Sequence, residues 1–372
     1  MSGKINIGIA GLGFGKEFIG IYKDHPNIEK VAICARTPKI LNNVGDQFNI
    51  DESLRFSNYR AMLECNALDA IHVVTPILDH YEQSMQSLEA GKHTACTVPM
   101  ATTLEECGNL VRAQKSSGKV YMMMETAVYT REFLYVASMK QQGKLGKIQF
   151  VRGAHMQNMG LEGWPEYWKG FPPMHYGTHA IAPLVCIIGK MIESVVCHGS
   201  GSILPDLAAR YNSPFAVETA TFRFEGSDVC GEATRSLYDT VRQYVESFNV
   251  YGEKMSYEWE QIETEGPVLF EGGENACRLN IPDMVGNLPD SIIRYSKKEQ
   301  ILDPAHVSFI QGAGHGGSHP HLAHEFITAI LQGRDSAMDA IISANITGAG
   351  ICAHQSAMEG ARRVFLPDFR SI

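Results

Sequence analysis

No stretch of the sequence approaches the roughly 20 consecutive apolar residues that a membrane-spanning helix needs, so no membrane partner is expected. The opening residues, MSGKINIGIAG, lack the layout of a secretory signal, and the start of the chain is expected to belong to the fold. Basic charge is also short: Lys and Arg number 32 against 41 Asp and Glu, a net charge of −9. Nonspecific nucleic-acid binding needs a cationic surface, so no nucleic acid is expected. The nine cysteines include no CxxC pair. They read as reduced thiols in a cytoplasm and not as a disulfide framework.

Ordinary globular composition remains, with 44% hydrophobic and 20% charged residues. At 372 residues the chain exceeds what one compact core usually holds, and two domains are expected. Ile5–Ala10 (INIGIA) reads as a buried strand and runs into Gly11-Leu12-Gly13-Phe14-Gly15-Lys16. A strand, a glycine-rich turn and a helix form a dinucleotide-binding context. Gly11 permits the tight turn, Gly13 lets backbone approach a pyrophosphate, and the following helix points its amides at that anion. The third glycine position of the usual motif holds Lys16, with Gly15 one place early.

Val31–Ala35 reads as a second strand, ending where a ribose-binding carboxylate is expected. Ala35, Arg36 and Thr37 stand there instead. Without a carboxylate a 2′-phosphate is not repelled, so NAD is expected and NADP is allowed, with Arg36 as its partner or as a solvated loop cation. A third strand, Ala70–Val74, ends in Thr75-Pro76, with His80 shortly after and a helix over Glu82–Ala90. A fourth ends at Cys96-Thr97-Val98-Pro99, followed by a helix over Leu104–Lys115 and a strand over Val120–Met124. Such alternation makes a parallel, doubly wound α/β sheet, which binds ligands beyond the carboxyl ends of its strands.

The glycine turn, Thr75-Pro76 with His80, Ala90–His93 (AGKH) and Leu145–Ile148 (LGKI) together resemble the Gfo/Idh/MocA superfamily of sugar and inositol oxidoreductases. The resemblance implies a Rossmann domain over residues 1–128. It also implies an α+β domain over 129–372 with an open, largely antiparallel sheet, C-terminal helices packing back on the first domain, and homo-oligomer contacts through that sheet. Most of these dehydrogenases carry Glu-Lys-Pro at the end of the fourth strand, the lysine assisting proton transfer. Here the tripeptide is Thr97-Val98-Pro99, and valine exchanges no proton. The aspartate expected four residues before the catalytic histidine is His175, while His179 keeps the histidine.

The NAD-dependent glycosidases of that superfamily, of the α-N-acetylgalactosaminidase type, similarly place valine before the proline. The chain also resembles them at Met124-Glu125 with Tyr129, at Tyr176-x-Thr178-His179, at Gly314–Gly317 (GHGG) and at Pro367–Phe369. Their glutamate before the valine is Thr97 here, which leaves the substrate open; relatives such as NAD-dependent sulfoquinovosidases show how widely substrates vary. The resemblance implies transient oxidation at a sugar carbon, commonly C3, then elimination, water addition and re-reduction. His179, His175, Tyr129 and Tyr176 are the expected proton-transfer groups, each also readable as a packed core residue. Glu125 is expected near the nicotinamide or as a local cap.

Trp164, with Tyr167 and Trp168, is expected either to stack on a sugar or to fill a long loop, and His315 is expected on a substrate-binding glycine loop. His315, His319, His321 and His324 invite a metal reading but lack a tight tetrahedral spacing, so no metal is expected. Three functions stay open: a redox-assisted glycosidase on a small glycoside, an NAD(P)-dependent sugar or polyol dehydrogenase, and a non-catalytic dinucleotide sensor.

Overall fold

The computed structural model describes residues 3–242, 244–262, 265–273, 275–297 and 315–372. The chain divides into two compact units. One comprises Met1–Tyr129, Val285–Ala344 and Asp368–Ile372, and the other Thr130–Met284 and Asn345–Pro367.

The first unit alternates strand and helix: β1 (Ile5–Ala10), α1 (Lys16–Asp24), β2 (Ile28–Cys34), α2 (Pro38–Gln47), β3 (Arg55–Phe56), α3 (Tyr59–Leu63), β4 (Ala70–Val73), α4 (Ile77–Glu89), β5 (His93–Cys96), α5 (Leu104–Ser117) and β6 (Tyr121–Met123). The strands form one six-stranded parallel sheet in the order β3-β2-β1-β4-β5-β6, the doubly wound arrangement. Strands covered on both faces become continuous apolar runs, and Ile7, Ile9, Ile33, Ile71, Val73, Met122 and Met123 are fully buried. Alpha5 shows why a local signal suffices. Thr103 Oγ1 accepts from Glu106 N–H at 3.2 Å, Glu106 returns a bond to Thr103 N–H at 3.0 Å, and Gly118 closes the helix in the left-handed region. Most boundaries shift by one to three residues, and two departures are larger. Alpha4 starts at Ile77, directly after Pro76, so His80 lies in its first turn and not in a loop. The two-residue strand β3 went unread because it is too short to show a period.

The second unit begins with α6 (Arg131–Gln141), β7 (Ile148–Gln157), α7 (Thr178–Ile188), β8 (Ile192–Ser200) and α8 (Pro205–Tyr211). Six strands follow: β9 (Val217–Phe224), β10 (Cys230–Ser236), β11 (Tyr244–Gly252), β12 (Met255–Glu258), β13 (Val268–Glu271) and β14 (Ala276–Arg278). Back in the first unit lie α9 (Asp290–Ile293) and α10 (His319–Gln332). Alpha11 (Ala340–Met358) carries residues of both units, and β15 (Val364–Phe365) belongs to the second. The nine-stranded sheet runs β14-β13-β12-β11-β7-β10-β9-β8-β15, antiparallel except for the β7–β10 pair. Alternate residues of β7 are buried (Val151, Gly153, His155, Gln157) while Arg152 faces solvent, so one face of this sheet is covered and the other open. Alpha7 is apolar nearly all round and lies on the covered face, where Gly153 meets it: a Cβ there would stand 2.0 Å from the Ala180 carbonyl oxygen. Among the described residues no helix is long and apolar enough to cross a membrane.

Candidate active site

In the first unit the glycine turn has distinct positional demands. Gly11 has φ +93°, and a Cβ on it would lie 2.3 Å from the Val74 carbonyl oxygen. A Cβ on Gly15 would lie 2.2 Å from the Gly11 oxygen and 3.0 Å from Ile9. Gly15 therefore supplies the close helix–strand packing of the motif's third glycine, one place earlier than usual. Gly13 differs: it is exposed, and no protein atom lies within 4 Å of where its Cβ would be. A bare backbone beside the start of α1 is a cradle that fits a pyrophosphate. Leu12 is buried beneath the turn, and Phe14 packs edge-on against Phe18 at 5.9 Å.

The other expected cofactor residues fall at or just beyond the ends of their strands. Ala35 follows β2 and donates its N–H to Phe56; Arg36 and Thr37 are exposed. Thr75 donates to Gln83 Oε1 at 2.9 Å and with Pro76 precedes α4. His80 is buried between carbonyl oxygens of Pro99 and Thr75, each 2.8 Å from a ring nitrogen, with Thr97 Oγ1 at 3.2 Å. Burial opposes its charge, but Cys96 and the two carbonyls outweigh it and raise its pKa to about 9. His80 thus ties the Thr75 and Pro99 segments together as an imidazolium. Val98 between them is 7% exposed. Glu125 is buried and caps the following 3₁₀ turn through Ala127 N–H at 3.0 Å, while Tyr129 at the unit's edge is half-buried.

His315 belongs to this first unit. Its ring stands edge-on to Phe14 of the glycine turn at 5.4 Å, and its Nδ1 is 3.1 Å from His319 Nε2. The histidine run therefore splits, since His324 pairs with His25 at 3.0 Å. Gly316 and Gly317 take positive φ as a glycine loop does; Gly314 lies outside the described residues.

In the second unit one row crosses four adjacent strands of the covered face. Glu218 (β9) is register partner of Arg235 (β10), Arg235 of His155 (β7), and His155 of Glu246 (β11). Their exposures are 0%, 0%, 1% and 4%. Burying ionisable groups costs several kcal/mol each unless they are paired, so a row of four is not a packing device. Arg235 donates to the carbonyls of His155 and Tyr176 and to Gln157 Oε1, and burial lowers its pKa to about 10.

Around this row the sequence-expected residues form two groups. His179 Nε2 lies 3.3 Å from Tyr176 Oη and 3.9 Å from Glu246 Oε1; His155 Nε2 is 3.7 Å from the same oxygen. Tyr244 donates to Glu246, and its own pKa is pushed well up by burial and by that carboxylate. The Arg235 guanidinium stacks 5.1 Å over the Tyr176 ring. Trp168 packs 4.7 Å from Tyr176 and Trp164 stands 6.4 Å behind it, so the tryptophans form an aromatic wall leading to Tyr176. His175, four residues before His179, is not in this group. It lies against His354 at 5.0 Å and Phe171 at 5.9 Å, and burial together with His354 lowers its pKa to about 3.

The ligand atoms of His155, His179 and Glu246 lie within 4.8 Å of one another, a spacing that would admit a cation. The adjacent Arg235 charge weighs against adding a divalent one. His155, Glu246, Arg235, Glu218 and His354 were not singled out from sequence. The available signal was an ionisable residue at an inward position of an alternating strand, such as His155 two places after Gly153.

Residues 5–125 match the family model of Gfo/Idh/MocA, described as an oxidoreductase family with an NAD-binding Rossmann fold. These residues belong to that family. NAD is therefore the cofactor of the Gfo/Idh/MocA domain, consistent with the open cradle at Gly13. Curated relatives include a glycosyl hydrolase family 109 protein of Phocaeicola vulgatus, 26% identical over 228 residues, covering 56% of this chain and 48% of the relative. Another, from Porphyromonas gingivalis, is 25% identical over 256 residues, covering 63% and 53%. The chain spans about half the length of the curated relatives it matches.

Among solved structures, levoglucosan dehydrogenase in complex with NADH and levoglucosan superposes with a TM-score of 0.77 at 19% identity, covering 98% of this chain and all of that one. The aldose-aldose oxidoreductase of Caulobacter crescentus gives 0.75 at 18%, with the same coverage. Both likenesses establish a shared fold.

Proposed function

We propose that the protein is an NAD-dependent, redox-assisted glycoside hydrolase acting on a small glycoside. The observation that carries this reading is Val98, a buried side chain with no proton to exchange where the family's dehydrogenases keep lysine. Proton chemistry is instead gathered in the second unit, as two histidines, a carboxylate and two tyrosines. The relatives named as glycosyl hydrolases point the same way.

Bound NAD would supply the oxidant that turns a sugar hydroxyl, at C3 in this reading, into a ketone and the reductant that restores it. The Gly11–Gly15 turn, with Thr75, Pro76, Thr97 and Pro99 at strand ends, would hold it. Tyr176 and His179 form the proton-transfer pair for that hydroxyl, exchanging a proton over 3.3 Å. Arg235 over the Tyr176 ring stabilises negative charge developing on its oxygen. His155 and Glu246 orient His179, as a carboxylate fixes an imidazole in other proton-transfer sites. Trp164 and Trp168 give an apolar wall for a sugar face, and no step calls for a metal. His315, beside Phe14, is assigned to supporting the glycine turn and not to substrate. The open face of the nine-stranded sheet, with a cavity of about 240 Å³ lined by Arg152, Thr234 and Asn249, is the proposed homo-oligomer contact, to be checked by sedimentation equilibrium.

A net sugar dehydrogenase is the second reading, favoured by the oxidoreductase family match; the Tyr176–His179 pair would then serve a single oxidation. Incubating purified protein and NAD⁺ with a panel of nitrophenyl glycosides separates the two. Aglycone release dependent on NAD⁺ is expected; NADH accumulation on free sugars without aglycone release would replace the first reading with the second.

A further inference from the structure

Glu218 is fully buried, and both of its oxygens are engaged. Oε2 accepts Met174 N–H at 2.7 Å, and Oε1 accepts from His354 Nδ1 at 2.7 Å. A carboxylate on Nδ1 sets the tautomer of an imidazole and leaves Nε2 as the nitrogen that exchanges protons. Among the described residues none is hydrogen-bonded to His354 Nε2, and the side chain is 12% exposed, so it is oriented but reachable. Gly350, one turn earlier on α11, places it. A Cβ there would stand 2.2 Å from the Met174 carbonyl oxygen, so only glycine lets the helix approach the Pro173–Tyr176 turn this closely. His175 on that turn lies edge-on to His354, neutral at physiological pH.

We propose that Glu218–His354 is a second proton-transfer centre, and that His354 Nε2 removes and returns the proton on the carbon next to the transient ketone. This rests on the redox-assisted reading. That reaction takes two protons from two different sugar atoms, and a histidine already holding the hydroxyl proton cannot accept another. Two separately oriented imidazoles remove the conflict. In the step, Nε2 takes the C2 proton, and the C–H electron pair becomes the C1–C2 double bond as the aglycone leaves C1 with its bonding pair. Water then adds its oxygen to C1 and sheds one proton, which neutralises the departed aglycone anion, and Nε2–H returns its proton to C2.

Two measurements test this. Long-range ¹H–¹⁵N spectra of the histidines at pH 7 should show His354 protonated on Nδ1 and bare on Nε2, with that signature lost in Glu218→Gln. The opposite tautomer in the wild type would overturn the proposal. NAD⁺-loaded protein is also given the synthetic 3-keto forms of 4-nitrophenyl α- and β-glucoside in D₂O, which need no oxidation. Deuterium entry at C2 and nitrophenol release are expected, slowed at least 100-fold in His354→Gln and about 10-fold in Glu218→Gln. Wild-type rates in a folded His354→Gln, or no exchange by wild type, would also overturn it. Exchange on the ketones with no turnover of any intact glycoside would sink the parent reading while leaving the second centre in place.

Discussion

Gly350 of α11 meets the Met174 carbonyl so closely that a Cβ would sit 2.2 Å from the oxygen, and Gly153 of β7 stands in the same relation to Ala180, at 2.0 Å. The two glycines hold the Met174–Ala180 segment from two elements. One brings His354 against His175, and the other brings His155 against His179. Adding a methyl at either position forces backbone apart, at a cost of about 1–3 kcal/mol. Gly350→Ala and Gly153→Ala should each lower the urea midpoint accordingly. Midpoints equal to wild type would mean these contacts are looser than the geometry implies.

The glycine turn makes the opposite prediction at Gly13. With no protein atom within 4 Å of its Cβ position, Gly13→Val should keep the melting temperature near wild type yet abolish NAD⁺ binding. Calorimetric titration checks it, and unchanged affinity would take the turn out of the cofactor site. Running NADP⁺ in parallel decides whether exposed Arg36 reads a 2′-phosphate.

Much of this first unit was legible because its determinants are local. Beta1 runs over Ile5–Ala10 as its apolar run indicates, and the Thr103–Glu106 box announces α5. The second unit's site was not legible because its members come from segments far apart in the chain. His179 and His175 could be read from one helical stretch, but their four-residue spacing suggested a shared site. The structure instead places them in different groups, because His175 lies on a 3₁₀ turn before α7 begins at Thr178. Glu218, Arg235, His155 and Glu246 become one row only through strand register, which no local pattern reveals.

His179→Ala removes one member of the proposed proton-transfer pair and should reduce turnover by roughly 10²–10⁴-fold. Its circular dichroism spectrum and NAD⁺ affinity should match wild type. Near-normal turnover would return His179 to a packing role.

Acid should destabilise the first unit through His72. This residue is fully buried on β4 with Nδ1 3.2 Å from Tyr22 Oη, and burial followed by His80 lowers its pKa from 6.5 to about 3. The folded state thus keeps it neutral while the unfolded chain protonates it below pH 6.5. Its contribution is complete above that pH and lost progressively down to about 3. In urea titrations from pH 7 to 4, His72→Phe should show a shallower loss of stability, by up to about 1.4 kcal/mol per pH unit. A slope unchanged from wild type would mean His72 titrates normally.

On the proposed reading, Val98 marks a hydrolase that oxidises its substrate only in passing. Hydrolysis of a cleavable glycoside in D₂O by the NAD⁺-loaded enzyme tests it most directly, with absorbance of NADH followed alongside. The account predicts released sugar carrying deuterium at C2 and no steady rise in NADH, because elimination breaks that C–H bond and each cycle ends redox-neutral. Released sugar with its C2 hydrogen intact, as hydrolysis through an oxocarbenium ion leaves it, or NADH accumulating in step with product, would contradict it.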